Sequence, residues 1–236
     1  MISLIKSNTR GSMELDWLNA RYSFSFAGYH NPKRMHFGVL RVLNDDIVAA
    51  GGGFGMHPHD NMEIITIPLE GALSHTDSLG NTGLIRKGEI QVMSAGTGIL
   101  HSEFNHSKTD PVKLLQIWLY PNVRNVSPRY SQRTYDIGKL NKWQCLVSPL
   151  DKGAGDTWIN QEAWFSIAFL EKDKEITYSL NQAKNGIFIF LIEGACTVEK
   201  QILARRDALS IEKEEKIDIL ATEKSMVLLI EVPMQV

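Results

Sequence analysis

The chain has 236 residues, enough for one large domain or two small ones with separate cores. Its 43% hydrophobic and 22% charged residues are ordinary for a globular protein, and a formal net charge of −2 supplies no basic face for nucleic-acid phosphates. No apolar run approaches the length of a membrane span, and the N-terminal MISLIKSNTRGSMELDW lacks the apolar centre of a signal peptide. Cys145 and Cys196 are too few for a disulfide framework and neither sits in a C-x-x-C pair, so both are expected to be small buried hydrophobes. These features predict a cytoplasmic protein with no membrane and no direct nucleic-acid contact.

The first candidate element, MELDWLNARY at 13–22, is predicted to form one or two helical turns. Short β-rich runs then dominate: MEIITIPLEG, ALSHTDSLGNTG, EIQVMSAGTG and KLLQIWLYP, and later GIFIFLIEG and MVLLIEVP. Such runs, separated by turn signals, predict an all-β sandwich or barrel. SLGN at 78–81 reads as a tight turn between antiparallel strands, with Gly80 supplying the permissive backbone. PNVRNVSPRYSQRTYD, at 121–136, has two prolines and little apolar pattern, and reads as a connection between two halves.

The halves echo each other. Leu69-Glu70-Gly71-Ala72 closes a β run in the first, and Ile192-Glu193-Gly194-Ala195 closes one in the second, as in a duplicated β domain. The offset of 123 residues (194 minus 71) carries His57, His59 and Glu63 onto Leu180, Gln182 and Gly186. No histidine follows His106, so only the first half can hold a histidine-based metal site.

HPHDNMEI at 57–64 carries that chemistry. On a strand, residues two apart share a face, so His57 and His59 project together, and in HSEF the same holds for His101 and Glu103. Two such strands facing each other inside a barrel would offer three nitrogens and a carboxylate, a donor set for iron, copper, nickel, cobalt, manganese or zinc. Glu63 shares the face of His59 in a regular strand and is a rival carboxylate. Of the other histidines, His30 and His106 are expected on the surface, and His36 and His75 as hydrogen-bonded structural residues. Phe54, Met93 and Trp118 are candidate apolar walls of a pocket.

These motifs resemble the cupins. Gly51, His57, His59, Glu63 and Gly71 follow the first cupin motif with one extra residue before the last glycine. Gly88, Gly96, His101 and Asn105 follow the second, with Ser94 where proline is usual and a longer spacing before His101. Within the cupins, HPHDNMEI, LEG, HTDSLGN, QVMSAGTGILHSE, RYSFSFAGYHNP and FGVLRVLNDD are similar to the pirins, in particular the bacterial branch described as quercetin 2,3-dioxygenase-like.

The resemblance implies a bicupin: two β-barrel (double-stranded β-helix or jelly-roll) domains in one chain. A metal-binding domain over 1–125 would precede a degenerate one without metal ligands over 135–236. It implies one divalent transition metal ion, iron first among the candidates, held by His57, His59, His101 and Glu103. Glu63 then takes a supporting role. The implied reaction opens the heterocycle of a flavonol such as quercetin with dioxygen and releases carbon monoxide, Glu103 serving as general base for the 3-hydroxyl proton. The alternative is a metal-dependent regulatory or redox-sensing protein acting through a protein partner. A second cupin within the chain buries the interface that single-domain cupins bury by pairing, which makes a monomer the default expectation.

Overall fold

A computed structural model describes residues 1–235. No α-helix occurs among the described residues; a single 3-10 turn spans Ser7–Thr9. The helical turns expected over 13–22 are instead a β-hairpin, in which Gly11–Glu14 pairs with Leu18–Tyr22. The reason is visible in the alternation: Leu18, Ala20 and Tyr22 are buried while Asn19 and Arg21 are half-exposed, the period of a strand.

Each half contributes a seven-stranded and a four-stranded sheet. The large sheet of the first half runs, from edge to edge, Arg129–Thr134, Glu89–Ser94, Glu63–Glu70, Val112–Leu119, Leu40–Val48, Leu18–Tyr22 and Gly11–Glu14. Its small sheet is Gly53–His59, Ile99–Asn105, Ala72–Asp77 and Thr82–Arg86. The second half repeats the plan, with Asn185–Glu193 and Ser225–Pro233 central in the large sheet, and Glu175–Ser179, Lys216–Ala221, Ala195–Val198 and Gln201–Ala204 forming the small one.

The expected SLGN turn joins Ala72–Asp77 to Thr82–Arg86, which pair antiparallel, and Gly80 has φ of 88°. Gly71 and Gly194, the centre of the sequence echo, occupy the same position in their halves, each between the long central strand and the first strand of the small sheet. The 121–136 segment is more than a connection, because Arg129–Thr134 is an edge strand paired with Glu89–Ser94 of the first half. The chain start also crosses over: Ile2–Ile5 pairs with Ala208–Ile211 of the second half.

Parity along the central strands explains how the barrels meet. Leu43, Ile65, Ile67, Leu115 and Ile117 of one half join Phe165, Ile167, Phe188, Phe190, Leu228 and Ile230 of the other in one buried cluster. The alternate residues face into their own barrel. Both faces of these strands are therefore buried, and EIITIPLE and GIFIFLIE read as nearly unbroken apolar runs for that reason. Cys196 lies in the second barrel's interior as expected, whereas Cys145 is only half-buried and free.

Candidate metal centre

The strands Gly53–His59 and Ile99–Asn105 are hydrogen-bonded neighbours in one sheet, rather than strands facing each other across a barrel. His101 lies opposite His57, and Ile99 opposite His59, which brings three imidazoles onto the inner face. Their ring centroids are 4.4 Å (His57 to His101), 4.9 Å (His57 to His59) and 4.9 Å (His59 to His101) apart. One ligand nitrogen from each lies within 4.8 Å of the others. A register shift follows His101, so that Phe54 rather than Gly55 stands opposite Glu103.

Glu103 belongs to a second, overlapping group with His75 and His101, again with ligand atoms within 4.8 Å. Of the four expected ligands the structure thus gathers the histidines in one group and links Glu103 to them through His101. The Glu103 carboxylate accepts hydrogen bonds from Gln116 Nε2 (2.5 Å) and Thr66 Oγ1 (3.3 Å) on the facing sheet. Burial pushes its pKa up to about 7, and those two hydrogen bonds oppose the rise.

The donor set suits a divalent transition metal ion. His57 Nδ1 donates to Gly55 O at 2.7 Å, which leaves Nε2 with its lone pair free. His59 Nε2 and both His101 nitrogens are buried without a hydrogen-bond partner. Such orphaned nitrogens need an occupant. Burial, reinforced by the neighbouring imidazoles, lowers the pKa of His59 to about 4 and of His101 to about 2. At neutral pH both rings are therefore uncharged, the form that binds metal.

The centre opens into a cavity of about 240 Å³ walled by both sheets of the first barrel. Its lining includes Phe26, Phe54 and Trp118, with Leu18, Ala20, Tyr22 and Ile64, and with Asn44, Asp46, Glu103 and Gln116 among the polar groups. Phe54 and Trp118 are walls as expected. Met93 is not; it lies fully buried among Ile64, Ala95 and Ile99.

Glu63, the rival carboxylate, is absent from the cavity lining. It accepts from Ser94 Oγ at 2.6 Å and from Asn160 Nδ2 of the second half at 3.0 Å. His75 is buried and hydrogen-bonded, with Gln91 Nε2 donating to Nδ1 at 3.3 Å and Asp77 Oδ2 3.5 Å from Nε2. Tyr130 packs on its ring at 4.8 Å. His36 Nδ1 lies 2.8 Å from Gly38 O, and His30 and His106 are exposed.

Sequence reasoning missed the polar row that supports the site. Tyr22, Asn44, Gln116, Thr66 and Gln91 stand side by side across five strands of the large sheet. Thr66 and Gln116 hold Glu103, and Gln91 holds His75. No local spacing connects residues on five strands. The signal available was a polar residue interrupting each of several apolar runs.

The same registers correct the mapping between halves. Pairing places Glu103 against His75 and Ile219 against Val198, and then His101 against His57 and Ile217 against Tyr178. The counterparts of His57 and His59 are therefore Tyr178 and Leu180, two residues before the positions given by the 123-residue offset. That offset holds on the central strand but fails beyond it, because the connecting loops differ in length.

Fold and site together define a bicupin whose first barrel carries a histidine cluster suited to a divalent metal. Residues 5–119 match the family model Pirin, and residues 145–232 match the Quercetinase C-terminal cupin domain. The chain is 41% identical over 233 residues to a protein of Escherichia coli K12 named quercetin 2,3-dioxygenase, covering 99% of each. It is 36% identical to a pirin-like protein of Caulobacter vibrioides, covering 94% of this chain and 95% of that one. Among solved structures, the bacterial pirin YhhW of Escherichia coli in complex with nickel(II) matches with a TM-score of 0.93 at 40% identity, covering 99% of each chain. The chain belongs to the pirin family.

Proposed function

We propose that this protein is a metal-dependent dioxygenase that opens the heterocycle of flavonols such as quercetin and releases carbon monoxide. The observation that carries the reading is the convergence of His57, His59 and His101, with Glu103 beside them, on a cavity of aromatic and apolar side chains. The names of the relatives point the same way. His57, His59, His101 and Glu103 would hold the ion. Iron is expected first; copper, cobalt, manganese and zinc are competitors, and the nickel complex of the Escherichia coli relative keeps nickel among them. When bound, the ion supplies Lewis acidity at the substrate's enolic oxygen and electronic access to dioxygen.

The chain's own groups supply the rest. Glu103, whose carboxylate stands beside the histidines that would hold the ion, takes the proton of the flavonol 3-hydroxyl. Thr66 and Gln116 hold its carboxylate in place. Phe26, Phe54 and Trp118 offer faces and edges to a flat ring system and keep bulk water from it. The overall change balances as one flavonol and one dioxygen giving one depside and one carbon monoxide. Replacing Glu103 with Gln should leave part of the bound metal while suppressing carbon monoxide release; undiminished release would remove Glu103 from the mechanism.

A second reading, a regulator that signals metal state to a protein partner, has one observation in its favour. Met56, Leu100 and Phe104 are exposed on the outer face of the same two strands that carry the histidines. A purified protein that binds metal but releases no carbon monoxide from quercetin would shift the weight to that reading.

A further inference from the structure

The cavity extends from the histidines past Glu103 to the strand Leu40–Val48 on the facing sheet. Two side chains there each leave a buried oxygen unpaired. Asn44 and Asp46, two apart on that strand, both line the cavity and are only 4% and 3% exposed. The Oδ1 atom of each is buried without any hydrogen-bond partner. Leaving a buried acceptor unpaired costs free energy, so such a pair implies a donor that arrives from outside the chain.

The surrounding residues narrow what that donor is. Asn44 is flanked across the sheet by Tyr22 and by Gln116, whose amide is already donated to Glu103. Asp46 is flanked by Ala20 and Leu114, which offer nothing polar. The lining contains no lysine or arginine, which disfavours an anionic group at this end of the cavity, away from the histidines. The remaining lining is apolar or aromatic, suited to a flat ring carrying a few hydroxyl groups.

We infer that Asn44 and Asp46 form a polar subsite of this cavity that receives hydroxyl groups of a phenolic substrate other than the one deprotonated by Glu103. The inference rests on the flavonol reading and adds what selects among flavonols. Asp46 accepts a hydroxyl hydrogen as a carboxylate, and as a neutral acid it still accepts through its carbonyl oxygen. A site built to pair with hydroxyls discriminates strongly against a ligand that lacks them, because its own acceptors are then left bare.

The test compares quercetin with 3-hydroxyflavone, which keeps the reacting hydroxyl and lacks all the others. Affinities are measured without oxygen, by tryptophan fluorescence of the full-length, metal-loaded protein. The native protein is expected to prefer quercetin by about tenfold or more. Asp46→Leu and Asn44→Leu should each bring that ratio toward one, with metal content unchanged and affinity for 3-hydroxyflavone retained or improved. Either variant suffices if the other does not fold. A native ratio near one, or a ratio unmoved in the variants, overturns the subsite. Absence of binding by either flavonol overturns it together with the flavonol reading. Discrimination that depends on these residues, without carbon monoxide release in air, supports the subsite and defeats only the dioxygenase.

Discussion

The two barrels share a strand plan and differ in what fills them. In the first, the row across the large sheet is Tyr22, Asn44, Gln116, Thr66 and Gln91. In the second, the same row is Cys145, Ser166, Leu229, Ile189 and Leu209. Facing it, His57, His59, His101 and Glu103 have Tyr178, Leu180, Ile217 and Ile219 as counterparts. The second interior is one continuous apolar cluster; the first is split into two smaller clusters with the polar groups between them. Buried apolar surface contributes roughly 25 cal/mol per Å², while buried polar groups cost free energy unless paired. The first barrel thus gives up apolar packing for a polar row and a cavity onto its histidines, while the second fills most of that interior with apolar side chains and keeps an opening beside Cys145, Ser166 and Tyr178.

The largest effect expected from breaking this contrast is at the histidines. His101→Ala should abolish both metal binding and carbon monoxide release, with little change in the melting temperature of the metal-free protein. Metal analysis and calorimetry would show it, and full metal retention would contradict the assignment. The converse change, Ile219→Glu, puts a carboxylate into the apolar barrel without the Thr and Gln that support Glu103. It should destabilise the protein by about 3 kcal/mol or more in denaturant titration, with no second ion bound.

Glu231 is the exception within the second barrel. Fully buried, it accepts hydrogen bonds from the Tyr178 hydroxyl, the backbone N–H groups of Asn181 and Gln182, and the Asn181 and Asn185 amides. Glu231→Leu strands these donors and should cost about 2–3 kcal/mol in the same titration. A neutral result would show that water replaces the carboxylate.

Smaller still is Thr66→Ile, which installs the second barrel's residue in the first. It removes one hydrogen bond to Glu103, so carbon monoxide release should fall by roughly tenfold, as is typical when a group supporting a metal site is lost. The metal-free protein should be unchanged in stability or slightly more stable. The least effect belongs to Asp207 at the seam between chain start and second half. Burial raises its pKa, but hydrogen bonds from Lys6, Ser7 N–H and Ala204 N–H outweigh that and hold it below the ordinary value of 3.8. Its contribution to stability is therefore present above that value and lost as pH falls through the folded one. Asp207→Asn should flatten that acid limb, by about 1 kcal/mol or less.

Much of this was legible in the sequence, for local reasons. The His-x-His and His-x-Glu pairs each lie within one strand, where spacing alone sets the shared face. The Gly71 and Gly194 echo survives because each marks a left-handed turn, at φ of 77° and 88°, that closes a central strand. What was not legible depends on strands far apart in the chain. The Asn44, Thr66, Gln91 and Gln116 row exists only through sheet register. The shift between His101 and Glu103 that sets Phe54 beside the site leaves no trace in spacing. The hairpin over 11–22 does not show a strand pattern because its turn at Asp16 and Trp17 shifts the alternation, so Met13 and Leu18 break a single period. Arg129–Thr134 carries little apolar pattern because its burial is intermittent, as befits an edge strand.

Carbon monoxide release is the direct test of what this centre does. Protein stripped of metal and reloaded with one divalent ion at a time would be given quercetin in air. The prediction is no carbon monoxide from the stripped protein and, with the best ion, one carbon monoxide for each quercetin consumed. Quercetin left intact with every ion, each shown to be bound, would contradict the assignment of this centre to flavonol cleavage.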